Sequence, residues 1–266
     1  MKTFFIVLFV FLYSFSGLYA QPSGRPSALE LPAYSSKKNE QIVWYKRYTV
    51  SFNKKYRIPN WVAWELTYDH TQGTQNRKDM SFYKDARISQ CPTTDEYKTD
   101  KPANHYDKIC RGHMCPALDN KWDAEAYKES FYLTNICPQK EGLNNGKWKS
   151  LEERCQNTWA KDYGKIYIVC GPIEPKRKKY LGDTGILIPE LFFKAILREV
   201  KVNDKIHYEA IGYILSQENR WYNNKFYTVN EIEAMTGLDL FHNLDDRIEE
   251  KVEDVVHEDK WQNPYI

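Results

Sequence analysis

The run Cys110-Arg111-Gly112-His113-Met114-Cys115-Pro116 is followed by Phe131-Tyr132-Leu133-Thr134-Asn135, by Leu143-Asn144-Asn145-Gly146-Lys147-Trp148 and by Leu151-Glu152. The last two open the clearest helix of the chain, Asn144 to Ala160, because Trp148, Leu151, Cys155 and Trp159 recur at helical spacing on one face. Asn144 and Glu152 stand two turns apart, so one helix can turn an amide and a carboxylate toward the same side. With Arg111, His113 and Asn135 upstream, one imidazole, two amides, one carboxylate and a guanidinium fall within residues 111–152. That set suits metal-assisted hydrolysis of a phosphodiester.

Outward from this stretch the pattern is that of strands. Val43 to Phe52 and Trp61 to Thr67 carry aromatic and β-branched residues with partial alternation, joined by a turn at Asn53 to Asn60. Gly164 to Cys170 is a dense β-branched run stopped by Gly171-Pro172, and Ile188 to Val200 and His207 to Leu215 are further strand candidates. Asp69 to about Tyr106 is polar and reads as loop with short elements. Val229 to Met235 and Leu244 to Val256 read as two short helices. No internal repeat is apparent, and the order of elements predicts an α+β fold with a central, mostly antiparallel sheet.

Met1-Lys2-Thr3, the apolar run Phe4 to Tyr13 and the small residues up to Ala20 have the three parts of a secretory signal. The expectation is therefore an exported protein, periplasmic or extracellular, with a signal at residues 1–20, a flexible Pro- and Ser-rich leader at 21–40 and a single domain at 41–266. No second apolar segment of that kind follows, so the mature form is expected to sit in no membrane. The formal net charge is +2, which argues against a global pull on a polyanion and leaves phosphate attraction to local patches. Lys176-Arg177-Lys178-Lys179 is such a patch. The six cysteines, Cys91, Cys110, Cys115, Cys137, Cys155 and Cys170, form an even set, which in an exported chain predicts disulfides or buried thiols ahead of a zinc site. Their pairing does not follow from the sequence.

The ordered series resembles the DNA/RNA non-specific endonucleases, the ββα-metal (His-Me finger) nucleases that include secreted bacterial nucleases and endonuclease G. The family pattern Asp-Arg-Gly-His is met by Cys110-Arg111-Gly112-His113. The Leu-x-Asn-x-x-Pro-Gln pattern is met by Leu133-Thr134-Asn135-Ile136-Cys137-Pro138-Gln139, and Leu-Asn-x-Gly-x-Trp with its following Leu-Glu by Leu143 to Trp148 and Leu151-Glu152. A lone Arg-Gly-His would be weak; the ordered series is strong.

The resemblance implies a metal-dependent endonuclease that hydrolyses DNA and RNA by one-metal, His-activated water attack. His113 is the expected general base, since an ordinary imidazole titrates near neutrality. Asn144 is the expected ligand of Mg2+, with Mn2+ as substitute, an ion that keeps most of its waters. Glu152 is expected to orient those waters, Arg111 to contact the scissile phosphate, and Arg154, Lys176 and Arg177 to add substrate-binding charge. Asn135 is expected to support the site by hydrogen bonding. Cys110 departs from the family Asp; a disulfide to Cys137 or Cys155 would replace the lost constraint, and a catalytically weakened nucleic-acid-binding protein is the rival reading. Whether the chain forms a homodimer stays open.

Overall fold

The computed structural model describes residues 28–34, 40–98, 108–218 and 225–266. Its strands are β1 Glu40–Trp44, β2 Tyr48–Asn53, β3 Ile58–Thr67, β4 Ile109–His113, β5 Ile136–Lys140, β6 Lys165–Ile173, β7 Lys179–Tyr180, β8 Leu187–Ile188, β9 Leu191–Val202 and β10 Lys205–Ser216. Helices are α1 Ala124–Glu129, α2 Glu141–Leu143, α3 Lys149–Arg154, α4 Ala160–Tyr163, α5 Val229–Thr236 and α6 Asp246–Asp254. The architecture is α+β. A six-stranded sheet of order β1-β2-β3-β6-β9-β10 carries the fold, antiparallel in every pairing, and β4 and β5 form a separate antiparallel pair.

Strict alternation along the central strands covers both faces of the sheet. Val62, Trp64 and Leu66 of β3, Ile166, Ile168 and Cys170 of β6 and Phe192 and Ile196 of β9 enter one core. Trp61 and Ala63, Tyr167 and Val169, and Phe193, Ala195 and Leu197 enter the other. The first core receives the β4–β5 pair and the helical run from α2 to α4. The second is closed by α5 and α6, and by Ala28, Leu29 and Leu31. Residues 28–33, expected to belong to a flexible leader, are thus packed: Ala33 donates its N–H to Asp239 O over 2.8 Å, and the Asn243 amide donates to Ala28 O over 2.9 Å. The expected signal at 1–20 lies outside the described residues. Among those residues no helix is long and apolar enough to cross a membrane.

Two expectations are revised. The run Val43 to Phe52 is not one strand but parts of β1 and β2, reversed at Tyr45 to Arg47, because Tyr45 N–H bonds Tyr48 O at 2.9 Å and closes a tight turn. The helix expected from Asn144 to Ala160 is interrupted. Asn144–Trp148 and Cys155–Trp159 are π-helical turns, and Gly146 (φ −104°, ψ −117°) leaves helical geometry altogether. Regular 3.6-residue arithmetic therefore does not carry from Asn144 to Glu152.

Candidate active site

His113 is the last residue of β4 and pairs with Ile136, the first of β5. The pair packs tightly because Gly112 is glycine: a Cβ there would come within 2.0 Å of Gln139 Oε1. Behind the strand end, Asn135 is fully buried and spends its amide on backbone. It accepts from Cys115 N (2.9 Å) and donates to Cys115 O (2.8 Å) and Ser130 O (2.9 Å). Met114 N–H donates to Asn135 O over 2.9 Å, so the chain leaving His113 is clamped on both sides. On the helix side, Trp148 Nε1 donates to His113 O over 3.1 Å. Asn135 therefore acts on the backbone next to the imidazole and touches no ring atom.

The imidazole itself is enclosed by aromatic rings. Phe131 meets it edge-on at 5.2 Å between centroids and Phe82 lies at 5.4 Å. Two guanidiniums complete the enclosure. Arg111 sits over Phe82 at 4.6 Å, and Arg77 over Phe82 at 5.1 Å and over Phe131 at 4.8 Å. His113 Nε2 is buried without a hydrogen-bond partner. Burial first, then the positive charges of Arg77 and Arg111, push the imidazole down to about 3, so it is neutral at physiological pH.

Arg77 and Phe82 were not picked out by the sequence. They lie in the polar stretch read as loop, which has short 3₁₀ turns at Arg77–Asp79 and Asp95–Tyr97 and is pinned by Arg57 Nη1 to Glu96 Oε1 at 2.5 Å. Bridging of Tyr83 to Tyr132 sets Phe82 against the site. An aromatic between basic residues in a low-hydropathy segment was the only available signal.

Glu152 lies deeper. Its Oε1 is buried without a partner, and burial lifts the carboxyl to about 8 against the opposing charge of Lys194 and the Trp148 N–H. Asn144 is half-exposed and its amide donates to Asn145 Oδ1 over 3.2 Å. A half-exposed amide and an unsatisfied buried carboxylate oxygen are the donor types that suit an oxygen-liganded cation that keeps its waters. Among the described residues no group of three His, Cys, Asp or Glu converges to hold a metal, so the Cys/His zinc alternative is not formed.

Other expected residues lie elsewhere. Arg154 reaches the Tyr265 carbonyl over 3.2 Å. Lys176 and Arg177 are exposed between β6 and β7. Among the described residues the Cys110 thiol meets the Lys108 carbonyl at 4.0 Å. The expected disulfides are corrected: all six cysteines are free, five of them buried and Cys110 half-buried. Cys110 pairs in register with Gln139, whereas Cys137 pairs with Gly112, so strand register separates the two thiols, and Cys155 is locked in the core on the inner side of the helical run.

A DNA/RNA non-specific endonuclease family model matches residues 25–247. The chain is 30% identical over 218 residues to a mitochondrial nuclease EXOG of Xenopus laevis, covering 76% of this chain and 58% of that one. It is 31% identical over 219 residues to a mitochondrial endonuclease G of Caenorhabditis elegans, covering 76% and 68%. The chain thus spans little more than half the length of the first relative. A crystal structure of an EndoG/EndoGI complex superposes with a TM-score of 0.67 at 21% identity, over 86% of this chain and 96% of that one, which supports the fold. The expected export is corrected: the relatives, including a nuclease 1 of Schizosaccharomyces pombe, carry mitochondrial names rather than those of periplasmic or secreted proteins. The inference failed physically because a short basic and apolar N-terminus reports an address only through its receptor, and with export gone the oxidising-compartment argument for disulfides lapses too. From the ordered motifs, the β4–β5 pair beside a helical run, and the family match across most of its length, the chain belongs to the DNA/RNA non-specific endonuclease family.

Proposed function

We propose that the chain is an endonuclease that hydrolyses DNA and RNA phosphodiesters with Mg2+, or Mn2+ in its place. The observation that carries this reading is the His113 imidazole, held neutral at the end of β4 with two guanidiniums against the aromatic rings that enclose it. A neutral imidazole takes a proton from water without first losing one of its own. Arg111 and Arg77 present forked donors to the oxygens of a phosphate brought against His113. The Asn144 side-chain oxygen would hold the cation, and Glu152, once ionised, would accept hydrogen bonds from the waters around it. When bound, the cation neutralises charge growing on the phosphate and on the leaving 3′ oxygen. Asn135 keeps the strand end rigid by its three backbone hydrogen bonds. Lys176 and Arg177 extend positive charge along the nucleic-acid backbone, contacts that read no sequence.

Cleavage of supercoiled plasmid and of total RNA by the purified chain, with Mg2+ or with EDTA, tests the reading beside His113→Ala. Metal-dependent degradation of both, lost in the variant, supports it. Binding without turnover in either metal would favour a weakened nucleic-acid-binding protein, with Cys110 the first residue to restore to Asp.

A further inference from the structure

The inner face of β9 reads Phe192, Lys194, Ile196, a lysine in the middle of an apolar row. Lys194 is 1% exposed. Its register neighbours, Cys170 of β6 and Tyr213 of β10, are buried as well. Its Nζ has no hydrogen-bond partner and instead lies over two indoles, 4.4 Å from the Trp148 ring centroid and 5.4 Å from that of Trp64. A lysine kept for fold stability would be hydrogen-bonded or ion-paired, because a dry ammonium costs more than an apolar side chain of the same volume. What this position retains is the charge.

Two carboxylates answer that charge, Glu152 and Asp119. Asp119 is already satisfied, accepting from Trp64 Nε1 at 2.8 Å and Gln156 Nε2 at 2.6 Å. Glu152 is not, since its Oε1 is an orphan. The thiols of Cys170 and Cys155 are pushed up to about 12, mainly by burial, and stay neutral across the working range, whereas Glu152, held up to about 8, ionises within it and then balances the ammonium. The indole beneath Nζ is the same one whose N–H holds the His113 carbonyl. One side chain on the central sheet therefore lies against the tether of the imidazole and exerts its charge on the carboxylate behind the cation site.

We propose that Lys194 is a positioning residue of the nuclease site, a buried ammonium that aims the Glu152 carboxylate and seats the Trp148 indole. The assignment rests on the nuclease reading above. In the folded chain Lys194 touches neither substrate nor reacting atoms. It acts through Glu152 by charge and through Trp148 by a cation–π contact.

The test uses the full chain with Lys194→Met, which keeps length and removes charge. Three quantities are read: melting temperature without metal, Mg2+ binding by calorimetry without nucleic acid, and steady-state kcat and KM. The proposal expects an unchanged or higher melting temperature, Mg2+ affinity and kcat each lower by about tenfold, and a KM for nucleic acid within a factor of about three. In a Glu152→Gln background the same substitution should cost much less, because the two act on one carboxylate. A lower melting temperature with unaltered Mg2+ binding and kcat would overturn the proposal in favour of a structural role. Full multiplication of the two effects would overturn it too. If Lys194→Met does not fold, Lys194→Gln carries the same readouts. A wild-type chain that cleaves nothing sinks the nuclease reading, and the Mg2+ titration of wild type against variant still decides for or against Lys194.

Discussion

The Trp148 indole N–H and the His113 carbonyl oxygen, 3.1 Å apart, join the helical run to the end of β4. This bond is made two residues past the interruption at Gly146, where the helix could not itself hold Asn144 and Glu152 in fixed relation to the imidazole. Trp148→Phe keeps most of the buried ring and removes the donor. We expect kcat to fall roughly 10- to 100-fold, the usual cost of losing a group that orients a site residue. The fold should lose about 1 kcal/mol for the missing hydrogen bond. Thermal melts beside steady-state assays separate the two, and an unchanged kcat would mean that the strand end needs no tether.

Arg77→Ala should raise KM for nucleic acid and lower kcat, because it removes one of the two guanidiniums beside the imidazole. It should also let the His113 value rise from about 3, since that guanidinium is the first charge, after burial, that holds it down. A proton NMR titration of the imidazole reads the second effect independently of catalysis, and an unmoved titration would place Arg77 away from the ring.

The pH profile should lack the limb near neutrality that an ordinary histidine base gives. The imidazole is unprotonated above about 3, and its availability as a proton acceptor is lost only as pH falls through that value. Glu152, held up to about 8 chiefly by burial, is the group that ionises in the working range, and its carboxylate form is gained as pH rises. Activity should therefore climb with pH toward 8, with saturating Mg2+ moving the rise to lower pH. Glu152→Gln should remove the slope along with most of the rate. A limb near 6.5 that survives in Glu152→Gln would contradict the buried, neutral imidazole.

The fold class was legible because two kinds of signal are written plainly: the partial alternation of Trp61 to Thr67 beside the dense β-branched run Gly164 to Cys170, and Trp148, Leu151, Cys155 and Trp159 at helical spacing. The motif residues His113, Asn144 and Glu152 were legible from ordered short patterns. Arg77 and Phe82 were not, since they come from a polar segment and reach the site only through the Tyr83–Tyr132 bridge. Lys194 was hidden for the opposite reason: a single charge in an apolar strand reads as an exposed edge until the strand proves to be covered on both faces. The break at Gly146 was invisible because Asn-Asn-Gly is compatible with a helix start as well as with a kink.

Between α5 and α6, Glu233 and Glu253 are held up to about 7 and about 8 by burial, aided by Asp239 and Glu249 and, for Glu253, by Glu233. Glu233 Oε1 accepts from Leu240 N–H at 2.5 Å, whereas Glu253 Oε1 is buried without a partner. These values lie above those of the unfolded chain, so the folded state binds more protons between about pH 4.5 and 8 and is destabilised as pH rises across that window. Glu253→Gln should flatten the decline and raise the melting temperature at pH 8 more than at pH 5. Melts at both pH values check this, and a larger gain at pH 5 would reverse the sign argued here.

Beyond the family match, residues 257–266 run back along the helical face that carries Arg154 and Trp159. Trp159 Nε1 donates to Gln262 O at 2.8 Å, Tyr213 OH to Pro264 O at 2.6 Å and Arg198 Nη2 to Lys260 O at 2.7 Å, while Lys147 reaches the Ile266 carbonyl. Trp261, 2% exposed, packs edge-on against Trp159 at 5.0 Å. Because the strap's carbonyls accept donors from the body of the fold and it buries one large ring, Trp261→Ala should cost about 3 kcal/mol or more of stability. Arg154→Ala should leave the KM for nucleic acid unchanged, since that guanidinium serves the Tyr265 carbonyl rather than the enclosure around His113. Denaturant melts and a plasmid-cleavage titration check the pair. A raised KM in Arg154→Ala would return that arginine to the nucleic-acid path and make the strap its competitor.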